Sequence, residues 1–205
     1  MRAVIISGGA ISDYACIKAQ IRDTDTIICA DSGFDHAVKM GLHPTAVVGD
    51  FDSVRTEISP EIEQIKFPTQ KNFTDTEIAI AYARERGFDD FLLLGATGSR
   101  LDHTLTNILN LKNFAERGET AQIFDEHNKI TLVHSSTLQM DAPPGTIVSI
   151  VAITDCKGVT EEGFKYPLQN ADVYVGSGLG VSNVVRKNAS VRVAEGLLLV
   201  IVARD

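Results

Sequence analysis

Short apolar runs alternate with longer helical stretches through the first half of the chain. The runs are Val4–Ile6, Thr26–Ala30, Ala46–Val48, Phe91–Leu94 and, more weakly, Gln122–Phe124. Each is apolar on consecutive residues, as strands of a parallel sheet covered on both faces must be. Between them, Thr74 to Arg86 and Leu101 to Arg117 read as helices. In the second, Leu101, Leu105, Ile108, Leu109 and Phe114 recur near helical spacing, and Gly118 supplies a stop. The alternation predicts an α/β fold, with an N-terminal three-layer parallel-sheet domain over residues 1–128. Beyond that point the period changes. Lys129 to Ser136, Ile147 to Thr154, Ser190 to Val193 and Leu197 to Val202 are strand-like. Turn material separates them: Ala142-Pro143-Pro144-Gly145, Cys156-Lys157-Gly158 and Gly176-Ser177-Gly178. Residues 129–205 therefore read as an all-β, sandwich-like domain, small enough to need packing against the first domain or a partner.

Charge and cysteine usage narrow the class. With 19 Lys and Arg against 27 Asp and Glu, the net charge is -8, which argues against a protein that tracks nucleic-acid phosphates. Cys16, Cys29 and Cys156 are far apart and form no C-x-x-C, so they read as thiols of a reducing compartment. No cleavable signal follows the N-terminus and no run of 18 apolar residues occurs, so a cytoplasmic protein with no membrane partner is expected.

Candidate chemistry gathers where a parallel sheet binds ligands, beyond the carboxyl ends of its strands. Ser7-Gly8-Gly9 follows the first run, Asp31-Ser32-Gly33 the second and Gly49-Asp50-Phe51-Asp52-Ser53 the third. Gly95 to His103 follows the Phe91 run, and Lys71-Asn72-Phe73-Thr74-Asp75 opens a helix. Taken singly, each has an ordinary structural explanation, such as a turn or an acidic helix start. Asp50 and Asp52 are harder to explain in that way, because two carboxylates at one turn repel and no Lys or Arg lies between them. Positions i and i+2 of an extended strand end face the same way, so both can reach one hard divalent cation. Arg100 and Lys71 then supply basic groups for the phosphates. No G-x-x-x-x-G-K-[ST] is present, and Gly176-Ser177-Gly178-Leu179-Gly180 follows no strand–helix pattern. From the residues alone, the reading is a metal-dependent nucleotide enzyme.

Five segments in this order carry a resemblance: Cys29 to Gly33, Gly49 to Ser53, Lys71 to Glu77, Gly98 to His103, and Ser182-Asn183 before the terminal strands. The whole chain resembles the bacterial thiamine pyrophosphokinases (thiamine diphosphokinases). The resemblance implies an N-terminal α/β domain that binds ATP and Mg²⁺, and a C-terminal β-sandwich-like domain that binds thiamine. It further implies a homodimer with active sites at the subunit interface, and transfer of a pyrophosphoryl group from ATP to thiamine with release of AMP. By position, Asp50, Asp52 and Asp75 resemble the Mg²⁺ carboxylates, Arg100 and Lys71 the phosphate ligands, and Asp102 a group near the reacting centre. Asp31, Ser32, Gly33, Thr74, Ser99 and His103 fall on the nucleotide side, and Tyr166, Ser182 and Asn183 on the thiamine side. Two positions depart from the pattern: Asn72 stands where Asp is usual, and Val184 where an acidic residue is common. The residues leave open whether Asp102 or a metal aspartate accepts the hydroxyl proton. Two rival readings are a metal-dependent sugar-nucleotide transferase and a non-catalytic nucleotide or thiamine sensor.

Overall fold

The five apolar runs become parallel strands around a central β1. In the computed structural model, which describes residues 1–67 and 73–204, the first unit begins β1 (Arg2–Ile6), α1 (Tyr14–Lys18), β2 (Thr26–Ala30), α2 (Gly33–Lys39) and β3 (Ala46–Gly49). It continues with β4 (Glu63–Lys66), α3 (Asp75–Glu85), β5 (Asp90–Leu94), α4 (Leu101–Glu116) and β6 (Thr120–Phe124). The strand order is β6-β5-β1-β2-β3-β4, parallel throughout. Connections run outward from β1 to β4 on one side, then return to β5 on the other, so the order reverses beside β1. An open α/β sheet forms its ligand crevice at such a reversal. Val4, Ile6, Ile27, Cys29, Val47, Leu92 and Leu94 pack with Ile17, Phe34 and Met40 in one apolar cluster. β4 escapes sequence reading because it is an exposed edge strand, Glu-Gln-Ile-Lys, with a polar composition suited to an unpaired edge.

Helix α3 starts where Thr74 accepts from Glu77 N at 3.2 Å while the Glu77 carboxylate accepts from Thr74 N at 2.8 Å. This reciprocal box satisfies two otherwise orphaned amides. Helix α4 differs from the expected amphipathic pattern. Its buried positions are Asn107, Asn110, Leu111 and Phe114, whereas Leu101, Leu105 and Leu109 are exposed on one i, i+4, i+8 face. The helical spacing therefore divides: Phe114 reaches the core, Ile108 is half-buried, and the three leucines form an outward stripe.

Contacts divide the chain into two units: residues 1–108 with 119–126, and residues 109–118 with 127–205. The second unit holds β7 (Asn128–His134), β8 (Thr137–Gln139), β9 (Ile147–Ala152), β10 (Cys156–Phe164), β11 (Leu168–Val173), β12 (Asn183–Arg192) and β13 (Leu197–Ala203). All its pairings are antiparallel, with β13 between β7 and β9, and β10 between β11 and β12. The start of β12 pairs with β9 through Asn183 and Val184, while Ser190 to Arg192 pair with both β10 and β8. One long strand thus takes part in two sets of pairings around a core of Val148, Ile150, Val159, Val185, Val191 and Leu198. Cys156-Lys157-Gly158, expected as a turn, opens β10. Cys29 and Cys156 are buried and Cys16 is half-buried, all as free thiols.

Candidate active site

Three backbone segments meet at the carboxyl end of the first unit's sheet. Ser7 N donates to Leu94 O and Gly9 N to Gly95 O, both at 2.8 Å, so the β1 and β5 turns are joined beyond the strands. The approach is close. A Cβ on Gly9 would lie 2.1 Å from Thr97 O, and one on Gly33, at the start of α2, 1.9 Å from Ile6 O. Only glycine permits such packing. Ser7 Oγ, buried, lies 2.9 Å from Thr76 Oγ1 and ties the first turn to α3. Thr104 Oγ1 accepts from Gly98 N at 3.1 Å, and buried Asn107 donates to Ala96 O at 2.7 Å, so α4 fixes the Gly95–Ser99 turn.

These turns line a cavity of about 460 Å³, of a size that holds a small-molecule ligand. Its walls include Asp31, Ser32, Ser53, Thr74, Asp75, Ser99, Arg100 and His103 together with the glycine turns. Seven residues expected on the nucleotide or catalytic side therefore share one cavity: Asp31, Ser32, Thr74, Asp75, Ser99, Arg100 and His103. Gly33 does not line the cavity but packs tightly on the Ile6 carbonyl at the end of β1. Lys71 and Asn72 lie outside the described residues.

Asp31, Asp50 and Asp52 each bring a carboxylate oxygen within 4.8 Å of the others. The sequence argument placed Asp50 and Asp52 on a strand end, but β3 stops at Gly49. A turn makes the pair instead: Asp52 N donates to Asp50 Oδ1 at 3.2 Å, and Phe51 takes φ of 67°. Asp31, itself at φ of 47°, accepts from Ser53 Oγ with one oxygen, while its other buried oxygen has no hydrogen-bond partner. Non-glycine residues in this region are strained, and such strain concentrates at functional sites. Asp35 on α2 holds the loop from below, accepting from Arg55 N at 3.1 Å and Thr56 N at 2.9 Å.

The three carboxylates repel one another. The charge of Asp50 is the largest influence raising the Asp52 carboxyl above its usual range, with burial and the charges of Asp31 and Asp75 acting in the same direction. A cation would relieve this repulsion and supply the partner that the Asp31 oxygen lacks, and three carboxylates are the hard oxygen donors that Mg²⁺ takes. Sequence reasoning put Asp31 on the nucleotide side and Asp75 in the metal set. In the folded chain Asp31 completes the compact trio, while Asp75 stands in the first turn of α3 and acts on Asp52 through its charge. Asp102 pairs with Arg100 at 2.6 Å, and this hydrogen bond draws its carboxyl down to about 2.

The second unit places Tyr166, Ser182 and Asn183 together but gives them different roles. Tyr166 is exposed, and Ser182, at φ of 58°, is exposed with its N–H on Ser149 Oγ at 2.9 Å. Asn183 is buried and fully used: its amide donates to Tyr166 O and Glu161 Oε2, and its oxygen accepts from Tyr166 N and Val184 N. An Asn side chain has no capacity beyond these four bonds. It is a clamp on the Tyr166 backbone and not a free contact for a ligand. Glu161, which sequence reasoning missed, is the other buried member of this network; its place in a β strand beside a second Glu carried no signal.

Two family profiles match the chain: thiamin pyrophosphokinase, catalytic domain, over residues 17–123, and thiamin pyrophosphokinase, vitamin B1 binding domain, over residues 135–198. The chain belongs to the thiamin pyrophosphokinase family. A thiamine pyrophosphokinase of Bacillus subtilis is 29% identical over 209 residues, covering 98% of each chain. The crystal structure of thiamine pyrophosphokinase from Bacillus subtilis superposes over 100% of both chains with a TM-score of 0.90 at 26% identity. That of the Geobacillus thermodenitrificans thiamin pyrophosphokinase covers 100% of this chain and 98% of its own, with a TM-score of 0.87 at 26% identity. Membership of the thiamin pyrophosphokinase family sets aside the sugar-nucleotide transferase reading. Among the described residues no helix is long and apolar enough to cross a membrane.

Proposed function

We propose that this protein is a thiamine diphosphokinase that transfers the pyrophosphoryl group of ATP to the hydroxyl of thiamine, giving thiamine diphosphate and AMP. The observation that carries the assignment is the aspartate trio beside a glycine-walled cavity at the sheet's reversal point, in a chain of this family over both matched segments. Asp31, Asp50 and Asp52, with Asp75 close by, are the residues that would hold Mg²⁺. Bound there, the ion would neutralise phosphate charge and polarise the phosphoryl oxygens.

The chain's own groups do the rest by positioning. Glycine turns at the ends of β1 and β5 let main-chain N–H groups approach an anion closely. Arg100, steadied by Asp102, adds a guanidinium at the cavity rim, where it can stabilise charge that develops on the phosphates. In the reaction the thiamine hydroxyl oxygen bonds to the β-phosphorus, the bond from that phosphorus to the α–β bridging oxygen breaks, and AMP leaves with the bridging oxygen. The hydroxyl proton passes to a base. Asp102 suits that part poorly, because a carboxyl held near 2 is a weak proton acceptor.

The β-rich second unit, read as sandwich-like, offers Tyr166 and Ser182 as the thiamine edge. We place the enzyme in the cytoplasm as a homodimer, with thiamine between the α/β domain of one subunit and the Ser182 region of the other. The exposed Leu101, Leu105 and Leu109 stripe supports the dimer, as do exposed Tyr174, Val175, Leu179 and Val181. Apolar patches left open on one chain are what a symmetric interface covers. Incubation with ATP, thiamine and Mg²⁺ tests the activity: AMP and thiamine diphosphate in equal amounts support it, and ADP or no product overturns it. Mixing Asp52→Asn and Tyr166→Ala subunits tests shared sites. One intact site per heterodimer returns about a quarter of wild-type turnover in a random mixture, whereas no recovery overturns the shared site.

A further inference from the structure

Glu161 sits in the middle of β10, opposite Leu168 of β11 and Val191 of β12, and is 0% exposed. One of its oxygens accepts from Asn183 Nδ2 at 3.2 Å, and the other has no hydrogen-bond partner. An ionised carboxylate in that position would bury a charge with a single neutral donor, which is strongly unfavourable. A neutral carboxylic acid can accept from Asn183 through its carbonyl oxygen and leaves one hydroxyl without an acceptor, a smaller cost than a buried charge. Asn183 in turn grips both the N–H and the C=O of Tyr166, and leads directly from the Ser182 turn.

We propose that Glu161 is a positioning residue: protonated, it holds Asn183 and thereby the Tyr166–Ser182 edge, and loss of its proton to solvent releases that edge. The inference rests on the reading of this edge as the thiamine-binding one. Burial pushes the Glu161 carboxyl up to about 7, against a smaller downward pull from Asn183. The charged groups of the packed elements are Lys157 and Glu162 on β10 and Lys165 just past its end, Asp172 on β11, and Arg186, Lys187 and Arg192 on β12. All seven are exposed and none is among the influences on Glu161. β9 and the 174–182 turn carry no charged residue.

Glu161→Gln keeps a carbonyl oxygen for Asn183 and cannot ionise. The test compares this variant with the full-length wild type from pH 6 to 8, in two measurements. The first is KM for thiamine and kcat at saturating ATP and Mg²⁺. The second is amide-exchange protection at Tyr166 and Val184, the two N–H donors to Asn183, expressed as protection factors to remove intrinsic pH dependence. If only the protonated form is competent, the wild-type KM rises about tenfold over this range. kcat stays within about twofold on the same argument, because only the competent fraction changes. Protection falls in parallel, and Glu161→Gln is flat in both. A variant that keeps the wild-type pH arm overturns the proposal, as does wild-type protection that ignores pH. A pH response in protection but not in KM overturns the positioning role. Absence of any thiamine turnover would instead sink the functional reading, and the exchange data would still decide whether the latch exists.

Discussion

Replacing Asp31 by Asn removes one charge from the aspartate trio and little else. Asn is among the few side chains that tolerate the left-handed conformation Asp31 adopts. Its carbonyl oxygen keeps the bond from Ser53 Oγ, and its new amide faces the Asp50 and Asp52 carboxylates with a favourable dipole in place of a charge. Two unit charges at the 4.8 Å limit of the trio repel by about 0.9 kcal/mol in water and about 3.5 kcal/mol at an effective dielectric of about 20. Asp31 is buried but its neighbours open toward solvent, so about 1 kcal/mol of relief is the reasonable figure. In EDTA the variant should therefore melt above the wild type, by about 2 to 4 °C for a chain of this size. Mg²⁺ should narrow or reverse the difference, since an ion that binds only the folded state stabilises by RT ln(1 + [Mg²⁺]/Kd). The wild type gains more than the variant, and the gap closes or inverts as Mg²⁺ rises. Calorimetric melts across a Mg²⁺ titration measure both terms. A variant that melts below the wild type in EDTA, or an equal Mg²⁺ shift in the two proteins, would refute the assignment of Asp31 to a cation site.

Three further outcomes follow from the same structure. Thr74→Ala breaks the capping box at α3 and should cost about 1 kcal/mol in urea unfolding, with turnover falling as well because Asp75 begins that helix. Arg100→Ala should lower kcat at saturating ATP, since a group acting on developing charge is felt in the transition state; a change confined to KM for ATP would make Arg100 a ground-state binding residue. The raised Glu161 carboxyl means the folded state holds a proton that the unfolded chain releases from about 4.5, so stability falls as pH climbs from there to about 7 and levels off above. Over that window the loss is at most about 3 kcal/mol, and Glu161→Gln should lack this component when denaturation is followed against pH.

The parallel strands were legible because their residues are apolar on both faces, a pattern that solvent-exposed segments do not share. Helix α3 was read over Thr74 to Arg86, and the Thr74–Glu77 capping box supplies the physical reason for its start. β4 and β11 went unread because Glu63-Gln64-Ile65-Lys66 and Leu168-Gln169-Asn170-Ala171-Asp172-Val173 lie largely exposed and carry polar residues. β10 was hidden behind Cys156-Lys157-Gly158, whose glycine adopts a positive φ at a register shift within the strand. In the candidate site, acidic and glycine motifs marked turns that the fold brings to one cavity. What they could not convey is that Asp31 reaches the Asp50–Asp52 turn, because that meeting depends on β2 and β3 lying side by side. Asn183 was read as a ligand contact because a sequence does not reveal that four bonds already occupy it.

One wall of the cavity is main chain, where Ser7–Gly9 and Gly95 press together and Gly33 packs behind them on Ile6. Such a surface has almost no side chains to vary, and a Cβ at Gly9 or Gly33 collides with a carbonyl oxygen. Ligand preference in this protein is consequently hard to retune from that wall. Adaptation, whether by natural drift or by a directed library, falls to the surrounding side chains, among them Ser32, Ser99, Arg100 and His103, which can change length and charge while the glycine turns stay fixed.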